Sequence, residues 1–155
     1  MTNSMAHARA RRNPADGRAP ASRAAATIGV IFLIVGVLGF LPGITTNFGA
    51  LSFVGHESMA KLFGVFQVSV LHNLVHLAFG VAGLALSRTA PGARTFLVGG
   101  GAVYLVLWLY GLMVYHRTGP ANFIPVNGPD NWLHLALGIG MIALGLATTR
   151  SVARR

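Results

Sequence analysis

Cysteine is absent from the 155 residues, and only three side chains are acidic: Asp16, Glu57 and Asp130. The first absence excludes disulfides, thiolate nucleophiles and thiolate metal sites. The second leaves no paired carboxylates for acid–base catalysis. There is also no nucleophile motif and no phosphate-cradling glycine loop, so a hydrolase or transferase has no support. Charged residues make up 10% of the chain, against roughly 25% in a soluble domain. Hydrophobic residues make up 54%, a balance that favours lipid as the solvent. Lysine occurs once, and the other eleven basic residues are arginine. They lie almost wholly outside the apolar stretches, so the net charge of +9 does not point to nucleic acid.

What the chain does have is four apolar stretches free of charge, at about 26–43, 68–87, 95–116 and 131–149. Each approaches or exceeds the ~18 residues that carry a helix across a bilayer. The expected fold is therefore all-α, an integral membrane four-helix bundle over residues 25–149. Residues 1–24 lack apolar periodicity and read as a disordered basic tail, and 150–155 as a second basic tail.

The basic residues set an expected orientation. Arg9, Arg11, Arg12, Arg18 and Arg23 precede the first span, Arg88 and Arg94 flank the second connection, and Arg150, Arg154 and Arg155 close the chain. These ten of twelve fall on one side of a four-helix protein, leaving Lys61 and Arg117 on the other. The positive-inside rule then places both termini in the cytoplasm of a multi-pass cell-membrane protein. Trp108, Tyr110, Tyr115 and Trp132 sit near span ends, where interfacial rings are favoured. A cleavable signal is the competing reading of the first segment, but Phe48-Gly49-Ala50 has Phe where a small residue belongs. Arg11-Arg12 is followed by Asn13-Pro14-Ala15, without the apolar residues expected after a twin-arginine export signal.

Between the first two spans, Ser58, Lys61 and Gln67 alternate with Leu62, Phe63, Val65 and Phe66. Two readings stay open for 58–67: a short amphipathic helix lying in the interface, or an extension of one long tilted second helix.

One motif occurs twice, as Asn73-Leu-Val-His76-Leu-Ala-Phe-Gly80 and again as Asn131-Trp-Leu-His134-Leu-Ala-Leu-Gly138. Between Asn73–Leu86 and Asn131–Leu144, seven of fourteen positions are identical. Self-similarity of this kind indicates architecture before any element is assigned. A duplicated two-helix hairpin accounts for it, with a pseudo-two-fold axis along the membrane normal and His76 and His134 at equal depth. Ala78-xxx-Ala82 and Ala136-xxx-Gly140 repeat a small-residue spacing that permits close helix approach, and Gly80 and Gly138 leave room below each histidine.

The polar residues of the repeat form the candidate site. His72, Asn73, His76, Asn131 and His134 lie within the spans, and His116 and Asp130 lie near their ends. Polar groups in a membrane helix turn toward a bundle interior or an aqueous cavity. Three readings compete. The cluster holds the bundle in register through interhelical hydrogen bonds, giving a structural or accessory role. Alternatively His72, His76 and His134, with His116 as an extra ligand, bind a metal or haem iron. Or the Asn–His pairs line a proton or small-solute pathway. No cofactor is implied beyond that metal or haem reading. The expected partners are the lipid bilayer and either a second copy of the chain or another membrane protein.

The strings Leu62-Phe-Gly-Val-Phe-Gln-Val68, Leu71-His-Asn-Leu-Val-His-Leu77, Phe79-Gly80-Val-Ala-Gly83 and Asp130-Asn-Trp-Leu-His-Leu135 resemble a family of small bacterial membrane proteins, domain of unknown function 4383. The resemblance covers about 25–149 and implies a four-helix membrane protein, mostly actinobacterial, with no assigned activity. Val68-Ser69 departs from the family pattern, in which Val is followed by Asn.

Overall fold

The structure is a computed structural model that describes residues 19–55, 57–114, 116–117 and 121–153. The basic tail expected over 1–24 lies mostly outside these residues, and its last part is already helical. Helix α1, Pro20–Leu38, starts with a proline at its first position, where the missing N–H costs nothing and the fixed φ suits a helix. Helices α2 (Val70–Leu86), α3 (Ala90–Val114) and α4 (Gly128–Ala153) complete the bundle. Three of the four are long and apolar enough to cross a membrane, and α2, at 17 residues, is a shorter apolar helix. Their outer faces carry Ile31, Ile34, Val81, Val106, Leu109 and Ile139, all exposed, as a lipid-facing surface requires.

Packing divides the bundle into two hairpins. α1 lies chiefly against α2 and α3 chiefly against α4, while α1 with α3 is the next most extensive pairing. Lipid tails are as apolar as Leu, so close backbone approach must bring the helices together. The same approach is built twice. A Cβ on Gly80 would meet Leu33 and the carbonyl of Gly29, and one on Gly138 would meet Leu105 and the carbonyl of Gly101. Gly29 and Leu33 of α1, with Gly39 at its C-terminal cap, match Gly101, Leu105 and Gly111 of α3 at one common offset. That offset is longer than the one relating the α2 motif to its α4 copy. A core of Phe32, Phe96, Leu97, Tyr104 and Met141 joins the two hairpins.

The expectations for 58–67 are both corrected: the segment forms neither an interfacial helix nor an extension of α2. It is a β-hairpin, β2 (Lys61–Leu62) and β3 (Phe66–Gln67), joined by β1 (Thr45–Thr46) in a three-stranded antiparallel sheet of order β1-β2-β3. The register pairs Thr46 with Lys61 and Leu62 with Phe66. A helix cannot pass this point, because Phe63 and Gly64 take φ of 54° and 72° and turn the chain back. The sheet rests on a small apolar core, Ala60, Leu62 and Val68 packed against Val35 and Leu38 at the end of α1. Loop 39–69 and residues 121–127 thus cap one end of the bundle. The α2–α3 turn and the outer ends of α1 and α4 lie at the other.

Candidate functional site

Each repeat asparagine is buried beside a glycine near the end of the preceding helix. A Cβ on Gly39 would overlap the Asn73 carboxamide, and one on Gly111 would overlap that of Asn131. Asn73 is 1% exposed and Asn131 5%. Asn73 Nδ2 and Asn131 Oδ1 have no hydrogen-bond partner. Both carboxamides thus sit against a glycine at a helix crossing, at matching places in the two hairpins.

The histidines gather one turn away. Ser69 caps α2 by accepting a hydrogen bond from the backbone N–H of His72, 3.1 Å. One turn on, His76 Nδ1 lies 3.0 Å from the His72 carbonyl oxygen. A carbonyl only accepts, so His76 must carry its proton on Nδ1 and leave Nε2 as a lone-pair acceptor. The two rings stack at 4.6 Å with an interplanar angle of 21°. The ring contact across the bundle is made by His72, not His76, with His134 at 6.4 Å. Tyr104 of α3 meets His134 edge-on at 5.4 Å and stacks on Phe32 of α1 at 5.4 Å.

Between these side chains is a cavity of about 60 Å³. His72, His76, Tyr104 and His134 line it together with Leu71, Val75, Leu107 and Ile124, and the surface they present to it is almost wholly apolar. Nδ1 of His72 and Nδ1 of His134 are buried without a partner. No Asp, Glu, Lys or Arg lines the space. A volume of this size admits a few waters or the end of one small molecule.

The residues do not fit a metal or haem. Imidazole lone pairs lie in the ring plane, so the stacked rings of His72 and His76 face each other rather than converge on one ion. Among the described residues, no three His, Cys, Asp or Glu side chains are grouped to hold a metal. The cavity is also far smaller than a porphyrin.

The other expected site residues lie elsewhere. His116 is exposed in the turn after α3, away from the cavity wall. Asp130, 2% exposed, belongs to the cap junction. Its Oδ2 accepts from the backbone N–H of Asn127 at 2.9 Å and of Gln67 at 3.0 Å, while its own N–H donates to Asn127 Oδ1 at 3.0 Å. This is a reciprocal capping box at the start of α4 that also holds strand β3. Asn127 Nδ2 donates to the Val65 carbonyl at 2.7 Å, and the Gly55 N–H donates to the Phe123 carbonyl at 2.8 Å, completing the junction. Of the expected packing residues, Gly80 and Gly138 are buried at helix contacts and Ala82 packs on the core. Ala78 and Ala136 are exposed, and nothing lies near Gly140, so the small-residue spacing does not mark these helix contacts.

Tyr104, Ser69, Gln67 and Asn127 are polar residues that the candidate site read from the sequence did not include. Tyr104 carried a signal, as the one hydroxyl between Thr95 and Tyr110 of the third span. The other three are ordinary loop residues whose role depends on what the loops touch.

No curated protein and no solved structure matches the chain. The family described as Domain of unknown function (DUF4383) matches residues 22–147, from the first turn of α1 almost to the end of α4. The chain belongs to that family, and it folds as a four-helix bundle in which three helices are long and apolar enough to cross a membrane.

Proposed function

We propose that the protein is a multi-pass component of the cell membrane with both termini in the cytoplasm, serving an accessory and non-catalytic role built around its buried histidine cluster. The single observation that carries this reading is the paired use of asparagine: Asn73 on Gly39 and Asn131 on Gly111. Polar residues that could have served chemistry are instead packed between the two helices of each hairpin. The matching contacts, Gly39 with Asn73 and Gly111 with Asn131, support an origin by duplication. In the sequence, ten of the twelve basic residues precede the first span, flank the connection between the second and third, or follow the fourth, which favours the cytoplasm for the side where the α2–α3 turn lies. The cap then faces outward, above the histidines.

Single cysteines at Thr89 and Met59 test the orientation, because the native chain has none. Met59 is exposed in the cap, and Thr89 is exposed in the α2–α3 turn. A membrane-impermeant thiol reagent should label intact cells at position 59 and not at 89, and the reverse pattern overturns the topology. For the accessory role, His76→Leu and His134→Leu should leave a folded protein at normal abundance. Turnover of a substrate by purified protein, lost in either variant, would instead make the histidines catalytic.

A further inference from the structure

Helix α2 is short for a membrane crossing. Its 17 residues reach about 25 Å at 1.5 Å per residue, against a hydrocarbon core of ~30 Å. Arg88, exposed in the α2–α3 turn two residues past the helix, holds that end at the membrane surface. The shortfall therefore falls at Val70, where the chain above the helix is loop.

That loop is built as backbone beside lipid must be. The N–H groups of Val70 and Leu71 donate to the carbonyls of Ser52 and Phe53, each at 3.0 Å, and that of His72 to Ser69 Oγ at 3.1 Å. A helix start leaves these donors without partners of its own, and here protein atoms rather than water satisfy all three. The neighbouring end of α3 is closed in the same way. Asn122, buried, donates from Nδ2 to the carbonyls of Val114 at 3.2 Å and Arg117 at 3.1 Å.

The side chains on this flank of the cap are apolar. Phe53, Val54 and Phe123 are exposed, and the Gly55 N–H joins their two loops through the Phe123 carbonyl. Residues 39–69 hold only two charged side chains, Glu57 and Lys61, and 121–127 hold none. The patch also continues two helix faces. Leu74 and Val75, one turn along α2 from Leu71, are exposed. The Tyr110 ring of α3 meets that of Phe123 at 5.6 Å, and its hydroxyl donates to the Ala121 carbonyl at 2.7 Å. Tyr110 shares its face with exposed Val106 and Met113. Segment 121–124 thus folds back beside the last turn of α3 instead of standing beyond it.

From this continuity we infer that the flank of the cap formed by 52–55 and 121–124 is seated in the bilayer, with Phe53, Val54 and Phe123 against the acyl chains of the leaflet at the cap end. Glu57, exposed and charged, marks the side of the cap that meets water. The inference rests on the transmembrane placement proposed above, and the experiment carries its own reference for that placement.

The native chain has no cysteine, so single nitroxide labels can be attached to Phe53→Cys, Val54→Cys and Phe123→Cys, with Val106→Cys as the lipid reference and Glu57→Cys as the water reference. All five positions are exposed, which spares the core. The full chain in phosphatidylcholine vesicles is exposed to oxygen, which concentrates in hydrocarbon, and to a water-soluble nickel chelate. Collision with oxygen should exceed collision with nickel at 53, 54 and 123, as at 106, and the ratio should invert at 57. Nickel exceeding oxygen at 53 and 123 while 106 stays lipid-like would overturn the inference, because the bilayer would then thin around α2 and leave the cap in water. Protection from both reagents at 53 and 123 would overturn it in favour of a protein partner over this flank. Nickel exceeding oxygen at 106 would overturn the transmembrane placement and this inference with it.

Discussion

The carboxamide of Asn131 lies where a Cβ on Gly111 would have to be, as that of Asn73 does at Gly39. A methyl at either glycine must displace a buried side chain with no room to retreat. Gly111→Ala and Gly39→Ala should each destabilise the protein by about 1–3 kcal/mol or more. Gly99 is the internal control, a glycine of the same α3 with open space around its Cβ position. Gly99→Ala should be neutral, or stabilising by up to about 1 kcal/mol from helix propensity. Unfolding titrations in mixed detergent measure all three, and equal effects at Gly99 and Gly111 would remove the glycine–asparagine contact as a determinant.

Asp130 ties the cap to α4 through two backbone N–H donors. Asp130→Ala leaves both donors without their acceptor and should cost about 1–3 kcal/mol. The loss should be local. Amide exchange at Gln67 and Asn127 should accelerate, whereas amides in the middle of α2 should keep their protection. Uniform acceleration through the helices would mean that the junction supports the whole bundle.

Phe63 occupies a left-handed conformation at φ 54° with its side chain 57% exposed. A bulky residue is strained there, and asparagine tolerates the region. Phe63→Asn should therefore stabilise the cap hairpin by about 1 kcal/mol. Slower exchange of the Gly64 and Val65 amides, which donate to the Lys61 and Leu62 carbonyls, is the readout. Faster exchange would show that the phenyl ring contributes more by contact than the backbone loses by strain.

Tyr104 connects the hairpins by stacking on Phe32 and meeting His134 edge-on. Tyr104→Ala should cost about 3–5 kcal/mol, the range for emptying a buried aromatic site. Tyr104→Phe keeps both ring contacts and should recover most of that stability. If Phe does no better than Ala in the same unfolding titration, the hydroxyl rather than the ring holds the bundle.

The four helices were legible in the sequence as charge-free apolar runs of spanning length, and the Asn–His–Gly stripe because it repeats on one helix face. The partner stripe, Gly29, Leu33 and Gly39 against Gly101, Leu105 and Gly111, was not. It recurs at a longer offset than the Asn–His motif, so no single offset reveals both halves of the contact. The cap was misread for a related reason. Its strands are two residues long, too short for alternation to declare itself, and Lys61-Leu-Phe-Gly-Val-Phe-Gln67 mixes polar and apolar residues as an interfacial helix would. Asp130 was named, but its partner Gln67 lies far off in the chain, and nothing local announces such a pair. His116 was included for its place near the end of the third span, but it is exposed in the turn after α3 and does not line the cavity.

The stretch from Gly39 to Asn73 is much longer than the one from Gly111 to Asn131, and the surplus of the first hairpin contains the β2–β3 turn. That surplus has a consequence in time. During synthesis the strands emerge long before residues 121–130, which hold Gly55, Val65 and Gln67 from across the cap. The sheet must wait without that anchor until the fourth helix begins to enter the bilayer. Insertion of the final crossing is then the bolt that shuts the assembly, and a chain truncated before Asn127 should yield three inserted helices under a lid that this bolt no longer fastens.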